Sequence, residues 1–181
     1  AETLITGNQF DFVNFTGSVN GGKAVQRAAA GTFTGIATEL GGKDPGYVMD
    51  DADLDAAVDT LIDAAMFNSG QCCCGIERIY VHEDLFPSFL ERAIATVQDY
   101  VLGNPLDPAT TLGPMAHTRF AATARLHIDE AVAAGATAHV SRFAADDGAA
   151  YLTPQILTGV THGMRVMRDE TFAPVVGIMP V

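Results

Sequence analysis

The amino-acid sequence predicts an α/β fold in which a mostly parallel sheet is flanked by helices. Strand-like segments alternate with longer segments whose apolar residues recur at helical spacing, and this order is typical of the class. The chain has 181 residues, of which 48% are hydrophobic and 18% are charged. That length and composition are ordinary for a globular α/β protein with a sizeable core.

Residues 1–40 predict one strand–helix–strand unit. Its elements are a strand near 11–15, a helix near 19–30 and a strand near 35–40. Ser18 stands at the start of the helix, where serine is a favoured N-cap and free backbone N–H groups attract phosphate. Taken alone, this pattern indicates only a capped helix, which Gly21 and Gly22 weaken. The pair Gly41-Gly42 then offers a crossing point into a second domain.

The middle of the chain predicts two further strands and two helices. These are a strand at 47–49, a helix with an acid-rich start at Asp50, Asp51, Asp53 and Asp55, a strand at 76–82, and a helix with Pro87 in its opening turn. The carboxylates suit a helix N-terminus and indicate a solvated first turn rather than a metal site. The apolar residues from Leu54 to Ala65 recur at helical spacing, so the first of these helices leads straight into a cysteine loop.

The rest of the chain predicts an irregular connection, one helix and three strands. The connection spans 103–114 and contains three prolines, the helix spans 118–134 and ends at Gly135, a turn spans 144–150, and the strands lie at 137–141, 155–157 and 175–179. We expect His127 to lie on the surface of that helix. The five histidines are scattered, and they form no metal-ligand spacing.

All three cysteines of the chain, Cys72, Cys73 and Cys74, are adjacent and follow Gly70-Gln71. A thiolate is a strong nucleophile whose reactivity depends on its surroundings. Zinc sites usually combine spaced cysteine pairs with distant ligands, so a metal site is disfavoured. A disulfide is disfavoured because the count is odd and no distant partner exists. The alternative to a reactive thiol is a set of buried small apolar residues, as free cysteine often is.

The net charge of −12 and the sequence pI near 4.5 disfavour nucleic acid and anionic membrane surfaces as partners. Dinucleotide binding stays possible, because a helix start binds phosphate locally through its N–H groups. No stretch of about eighteen apolar residues occurs, so we expect no transmembrane helix, and the first residues show no signal peptide. Three unpaired cysteines suit a reducing compartment, and we expect a cytoplasmic protein.

Four motifs occur in a fixed order along the chain. They are Phe15-Thr16-Gly17-Ser18, Glu39-Leu40-Gly41-Gly42-Lys43, Gly70-Gln71-Cys72-Cys73 and Glu170-Thr171-Phe172-Ala173-Pro174. In this order and at these separations, the sequence resembles the aldehyde dehydrogenase superfamily across nearly all of its residues. The resemblance implies the fold of that family's catalytic domain, preceded by a partial dinucleotide-binding strand–helix–strand piece.

The resemblance implies that Cys73, two residues after Gln71, is the nucleophile. In the family this thiol adds to an aldehyde to give a thiohemiacetal, and hydride transfer to NAD or NADP leaves a thioester. Glu39 corresponds to the general base that activates the hydrolytic water. Its presence implies release of a carboxylic acid rather than acyl transfer to coenzyme A. Read without the motif, Glu39 is a solvated acid at a strand end.

The resemblance also implies a set of cofactor-binding residues. Gly17 and Ser18 correspond to the turn that holds the cofactor pyrophosphate, Gly22 to a later glycine of that turn, and Leu40 to the residue beside the base. Glu170 corresponds to the acid that binds the nicotinamide ribose, and Phe172 to the aromatic ring beside the nicotinamide. Ala173 stands where the family motif usually has glycine, which adds a methyl group to the turn. The resemblance implies no metal.

Members of the family are considerably longer at both ends, so the resemblance implies a central segment of such an enzyme. Residues 1–40 then form the C-terminal part of a dinucleotide-binding domain, and 41–181 form a catalytic domain truncated at its C-terminal end. We expect a small-molecule aldehyde as substrate and a homo-oligomer in the full-length protein. The alternatives are a catalytically silent fragment or interaction module that keeps the fold, and a thiol redox or hydrolytic protein that uses Cys73 without cofactor.

Overall fold

A computed structural model describes residues 2–181, which divide into two units after Gly42. The first unit contains α1 (Glu2–Thr6), β1 (Phe12–Gly17), α2 (Val19–Ala29) and β2 (Gly35–Leu40). Strands β1 and β2 are parallel and pair from Phe12 with Gly35 to Gly17 with Leu40. Since α2 connects two parallel strands, this unit is the strand–helix–strand piece that the sequence predicts; the short helix α1 was not predicted.

The second unit, Lys43–Val181, contains a five-stranded sheet. Its elements are β3 (Asp44–Val48), α3 (Leu54–Met66), β4 (Ile76–Val81), α4 (Phe86–Gln98), α5 (Thr118–Ala133), β5 (Thr137–Ala138), β6 (Gln155–Thr158), α6 (Arg165–Arg168) and β7 (Val175–Pro180). The strand order is β3-β4-β7-β6-β5. All neighbouring pairs are parallel except β5 and β6, so the predicted mostly parallel sheet is confirmed.

Successive strand residues point to opposite sides of this sheet, so each face carries apolar side chains. Helices cover both faces. On β4 and β7, Ile79 and Ile178 pack with residues of α3 and α4 in one buried cluster. Their neighbours Tyr80 and Met179 pack against a second cluster that contains residues of α5 and α6. The second unit is therefore a three-layer arrangement with an apolar core on each side of the sheet.

Several helix and strand ends follow local chemistry that differs from the predicted limits. Helix α3 begins at Leu54 rather than in the acidic run from Asp50, because the side chain of Asp53 accepts a hydrogen bond from the Ala56 N–H at 3.1 Å and acts as the N-cap. Strand β3 begins at Asp44, three residues before the predicted start, and β5 has two residues instead of five. Gly135 has φ of 104° and follows the end of α5, as predicted.

The expected surface position of His127 is wrong. The buried residues of α5 are Ala121, Ala124, His127 and Ala131, which share one helix face. His127 is 2% exposed, because that face packs into the second core cluster.

Within residues 2–181, no helix combines the length and apolar character that crossing a membrane requires.

Candidate active site

The predicted nucleophile lies in a loop that joins α3 to β4 and begins with an unusual turn. Asn68, Ser69 and Gly70 are three consecutive residues in the left-handed region, with φ of 50°, 57° and 67°. Each non-glycine residue in this conformation costs roughly 1–2 kcal/mol. The turn therefore needs support from the surrounding residues, and it redirects the chain sharply before the cysteines.

Hydrogen bonds from Gln71, Asn68 and Ser69 supply that support. The Gln71 Nε2 donates to the Asn68 carbonyl at 3.1 Å, and the Asn68 Nδ2 donates to the Gln71 carbonyl at 3.0 Å. The Gln71 Oε1 accepts from the Ala116 N–H at 2.8 Å, and the Ser69 hydroxyl donates to the Gly113 carbonyl at 2.7 Å. Gln71 thus fixes the loop to the connection that precedes α5.

The three thiols are free, and their environments differ. Cys73 and Cys74 are exposed, and Cys72 is half-buried, so the interpretation as three buried apolar residues is wrong. The sulfur atoms of Cys72 and Cys74 are 3.5 Å apart. The hydrogen bond with Cys72 and the charge of its thiolate raise the pKa of Cys74, which reduces the thiolate fraction of Cys74 near neutral pH.

The cysteine loop packs against the turn that carries the Glu170 motif. A Cβ atom placed on Gly70 would lie 2.1 Å from the carbonyl oxygen of Ala173 and 2.6 Å from the nitrogen of Pro174. Phe172 has φ of 51°, so the left-handed residue of the motif is the phenylalanine and not Ala173. Ala173 is 1% exposed and belongs to the second core cluster, which accommodates its extra methyl group.

Glu77, a buried residue outside the four motifs, holds the turn at Thr171 and Phe172. Glu77 is 4% exposed, and its carboxylate accepts hydrogen bonds from the Thr171 N–H and the Phe172 N–H, each at 2.8 Å. The sequence contains a signal for it, since Glu77, Ile79 and Val81 alternate along β4 and all face inward. A charged residue at a buried strand position requires a partner.

That partner is Lys43, whose ammonium group donates to the Glu77 carboxylate and whose side chain is 8% exposed. Lys43 also donates to the Thr171 hydroxyl at 3.2 Å, and this hydroxyl lies 3.1 Å from the His127 Nδ1. Burial lowers the pKa of Lys43, and the contact with Glu77 opposes that shift. Burial also lowers the pKa of His127, whose Nε2 is buried with no hydrogen-bond partner among the described residues.

In the first unit, the remaining predicted site residues meet at the carboxyl ends of the two parallel strands. Gly17 pairs with Leu40, and Glu39 precedes Leu40 on β2 with an exposed side chain. A Cβ on Gly22 would lie 3.0 Å from a methyl carbon of Leu40, so the absence of a side chain lets α2 pack closely against this residue. Nucleotides bind at this edge in α/β sheets.

The predicted N-cap is confirmed, because the Ser18 side chain accepts a hydrogen bond from the Gly21 N–H at 3.1 Å. Gly17, Ser18 and Val19 are exposed, and N–H groups in the first turn of a helix have no acceptors within the helix. The turn therefore offers accessible donors that fit a pyrophosphate. The structure thus places Gly17, Ser18, Gly22, Glu39 and Leu40 in the first unit, and Cys73, Glu170 and Phe172 in the second.

A cavity of about 400 Å³ lies beside the cysteine loop. Its lining residues are Asn68, Ser69, Pro105, Thr110, Thr111, Gly113 and Pro114. Across residues 2–181, no group of three or more histidine, cysteine or acidic side chains could hold a metal ion. The cysteine loop itself presents the exposed thiols of Cys73 and Cys74 after a hydrogen-bonded turn.

The chain is similar in sequence and fold to known proteins. The sequence profile of the Aldehyde dehydrogenase family matches residues 1–181. The mitochondrial aldehyde dehydrogenase of Mesocricetus auratus is 36% identical over 170 residues, which are 93% of this chain and 34% of that protein. The succinate-semialdehyde dehydrogenase [NADP(+)] of Mycobacterium leprae is 33% identical over 177 residues, which are 98% of this chain and 39% of that protein.

Among solved structures, the betaine aldehyde dehydrogenase of Staphylococcus aureus in complex with NAD+ matches with a TM-score of 0.92 and 34% identity. The match covers 99% of this chain and 36% of that structure. The chain thus spans between a third and two fifths of the length of these relatives.

Proposed function

The chain belongs to the aldehyde dehydrogenase family, and from this we propose that the protein oxidises an aldehyde to a carboxylic acid with NAD or NADP. The observation that carries the proposal is the packing of the cysteine loop against the Glu170–Phe172 turn. This contact joins the loop that carries the exposed thiol of Cys73 to the segment whose motif binds the nicotinamide end of the cofactor in the family. The residue roles below rest on that correspondence.

Cys73 begins the reaction as a thiolate. Its sulfur forms a bond to the carbonyl carbon of the aldehyde, and the carbonyl π electrons move to the oxygen, which gives the alkoxide form of a thiohemiacetal. NAD or NADP, when bound, would accept the hydride that this carbon loses as the oxygen electron pair re-forms the carbon–oxygen double bond. The carbon is then a thioester of Cys73, oxidised by two electrons.

Glu39 acts in the second half of the reaction. Its carboxylate takes a proton from a water molecule, and the water oxygen attacks the thioester carbon. The carbon–sulfur bond then breaks, the electron pair returns to the Cys73 sulfur, and the carboxylic acid leaves. Glu39 suits this role because it is exposed at the strand end beside the phosphate-binding turn.

The other site residues bind and orient the cofactor. Gly17, Ser18 and Gly22 hold the pyrophosphate at the first turn of α2, next to Leu40. Glu170 would hold the nicotinamide ribose through its carboxylate, and Phe172 would line the nicotinamide site. Holding two reacting groups in a fixed orientation accounts for a large share of the rate in such two-substrate reactions.

The proposal includes a small-molecule aldehyde as substrate and a homo-oligomeric assembly of the whole protein in the cytoplasm. Relatives carry names with different aldehydes, such as succinate semialdehyde and betaine aldehyde. We therefore propose the reaction at the level of the substrate class. The net charge of −12 keeps nucleic acid and anionic membranes outside the proposed partners.

The test is the absorbance of reduced cofactor formed by the whole protein that contains this chain, with a panel of aldehydes and either NAD or NADP. We expect a signal that Cys73→Ser abolishes, while the matched controls Cys72→Ser and Cys74→Ser keep at least a third of it. A signal that survives Cys73→Ser and is lost in a control would refute the assignment of the nucleophile. No signal with any aldehyde would favour the catalytically silent alternative.

A further inference from the structure

We propose that Glu77 is a positioning residue for the cofactor site, and that it acts by fixing the backbone of the Thr171–Phe172 turn. The proposal rests on the proposed function, because it concerns the binding of NAD or NADP through Glu170 and Phe172. It concerns a residue that lies outside all four sequence motifs and does not itself touch the cofactor.

The first argument is the arrangement of the donors around the carboxylate. Its Oε1 accepts from the Phe172 N–H, and its Oε2 accepts from the Thr171 N–H and from the Lys43 ammonium. Both oxygens act as acceptors, which is the role of an ionised carboxylate. Two successive backbone N–H groups that point to one side form a concave anion site, and here Glu77 fills it from within the protein.

The second argument is the conformation that these bonds hold in place. Phe172 has φ of 51°, which is unfavourable for an aromatic L-residue. Such a conformation persists only where the surroundings determine it, and it is common next to ligand sites. The direction of the Phe172 side chain depends on this backbone conformation, and the two hydrogen bonds to Glu77 hold the peptide groups of Thr171 and Phe172 from which the side chain projects.

The third argument is the place of Glu77 in the chain. It lies on β4, four residues after Cys73, and its carboxylate reaches the turn 94 residues later in the sequence. Lys43, at the start of the second unit, donates to the same carboxylate oxygen as the Thr171 N–H. Glu77 therefore connects the strand that follows the nucleophile directly to the turn that carries the two cofactor-binding side chains.

If the ion pair of Glu77 with Lys43 only stabilised the fold, loss of another buried carboxylate of similar importance to stability would affect cofactor binding equally. Asp146 provides that comparison. The Asp146 side chain is 7% exposed and accepts hydrogen bonds from the Thr153 and Gly148 N–H groups and from Arg125. It stabilises a loop through the same kind of contacts, and it lies outside the cysteine loop and the Glu170 motif. Asp146→Asn is therefore the control for general destabilisation.

The experiment compares Glu77→Gln with Asp146→Asn in the whole protein. We expect Glu77→Gln to raise the Kd of NAD or NADP about tenfold, which corresponds to about 1.4 kcal/mol, the scale of one hydrogen bond to a charged group. The KM for the aldehyde and the rate at which iodoacetamide alkylates Cys73 without cofactor should change less than twofold. Asp146→Asn should leave the cofactor Kd within twofold, even at an equal loss of stability in urea.

Glu77→Asp provides a second variant if the glutamine variant does not fold. It keeps the charge but shortens the side chain by one methylene, and we expect it to raise the cofactor Kd about threefold. An unchanged Kd in the folded Glu77 variants, or an equal rise in Asp146→Asn, would overturn the positioning role and leave the proposed function standing. If the unmodified protein binds neither NAD nor NADP, the proposed function and this inference both fail.

Discussion

Gly70 and Ala173 approach each other so closely that a single methyl group at Gly70 would overlap the Ala173 carbonyl oxygen, at 2.1 Å. One residue lies three positions before Cys73, and the other directly follows Phe172. The contact therefore joins the loop of the proposed nucleophile to the turn of the proposed nicotinamide site within one unit. Four motifs that are far apart in the sequence give no direct indication of this contact.

Gly70→Ala tests that contact. The new methyl group meets backbone atoms, which cannot rotate away, and the residue has φ of 67°. Overpacking costs typically 1–3 kcal/mol, and the left-handed conformation adds roughly 1 kcal/mol or more. We expect a loss of about 2–4 kcal/mol in the free energy of unfolding and a drop in dehydrogenase activity, measured by urea denaturation and by reduced-cofactor absorbance.

Gly135→Ala is the control for the cost of placing an alanine in the left-handed conformation without steric overlap. Gly135 has φ of 104°, and no atom lies within 4 Å of a Cβ built there. We expect this variant to lose stability through its backbone and to keep its activity below the unfolding temperature. Equal losses of stability and activity in the two variants would contradict the importance of the close approach.

Glu39→Gln tests the proposed general base. The amide cannot take a proton from water, so formation of the thioester should continue while its hydrolysis slows. In rapid-mixing measurements we expect a burst of reduced cofactor of up to one equivalent per active site. The steady-state rate after the burst should fall by about 10²- to 10⁴-fold. An undiminished steady state would exclude Glu39 as the base.

The burial of His127 predicts an acid-sensitive stability. Burial is the main cause that lowers its pKa in the folded chain. The charges of Arg165 and Lys43 lower this pKa further, whereas those of Glu130 and Asp169 raise it. Because the unfolded chain binds the proton more readily, this contribution to stability is complete above a pH of about 6.5. It should decline as the pH falls from there towards the folded-state pKa, by at most about 1.4 kcal/mol per pH unit.

Urea denaturation of the protein and of His127→Asn at pH values of about 7.5, 6.5 and 5.5 measures this effect, because ordinary histidines titrate in this range. The asparagine variant should lack the additional decline. The other four histidines are present in both proteins, so they cancel in the comparison. Parallel pH profiles for the two proteins would show that His127 does not titrate differently on folding.

Asp53→Ala should destabilise α3 without changing the chemistry. The Asp53 side chain caps the helix through the Ala56 N–H, and loss of such a cap costs about 1 kcal/mol. We expect a lower unfolding midpoint and an unchanged kcat. Asp50→Ala, at an exposed acid outside the helix, serves as the control and should be neutral.

Much of the fold follows from local patterns in the sequence. The strand predicted at 76–82, the N-cap at Ser18 and the glycine after α5 all depend on neighbouring residues, and the structure agrees with each. The start of α3 was misplaced because four acids compete for the cap, and only Asp53 has the geometry to reach the Ala56 N–H. The roles of Cys73, Glu39 and the cofactor-binding residues stay predictions from the family resemblance.

What the sequence could not predict depends on contacts between distant residues. Glu77 meets Thr171 across 94 positions, and His127 meets the same residue across 44. A helical pattern alone does not show which polar residue the core will accept, so the burial of His127 needed the tertiary structure. The left-handed run at Asn68 and Ser69 also depends in part on a distant contact, because the Ser69 hydroxyl donates to the Gly113 carbonyl 44 positions later.

Trapping of the acyl-enzyme tests the proposed chemistry most directly. The Glu39→Gln variant of the whole protein is mixed with NAD or NADP and an aldehyde that gives a signal, quenched in acid and digested, and the cysteine peptide is sequenced by mass spectrometry. We predict the mass of one acyl group on Cys73, dependent on cofactor and absent from Cys72 and Cys74. An acyl group on either neighbouring cysteine, or no acyl group despite formation of reduced cofactor, would contradict the mechanism.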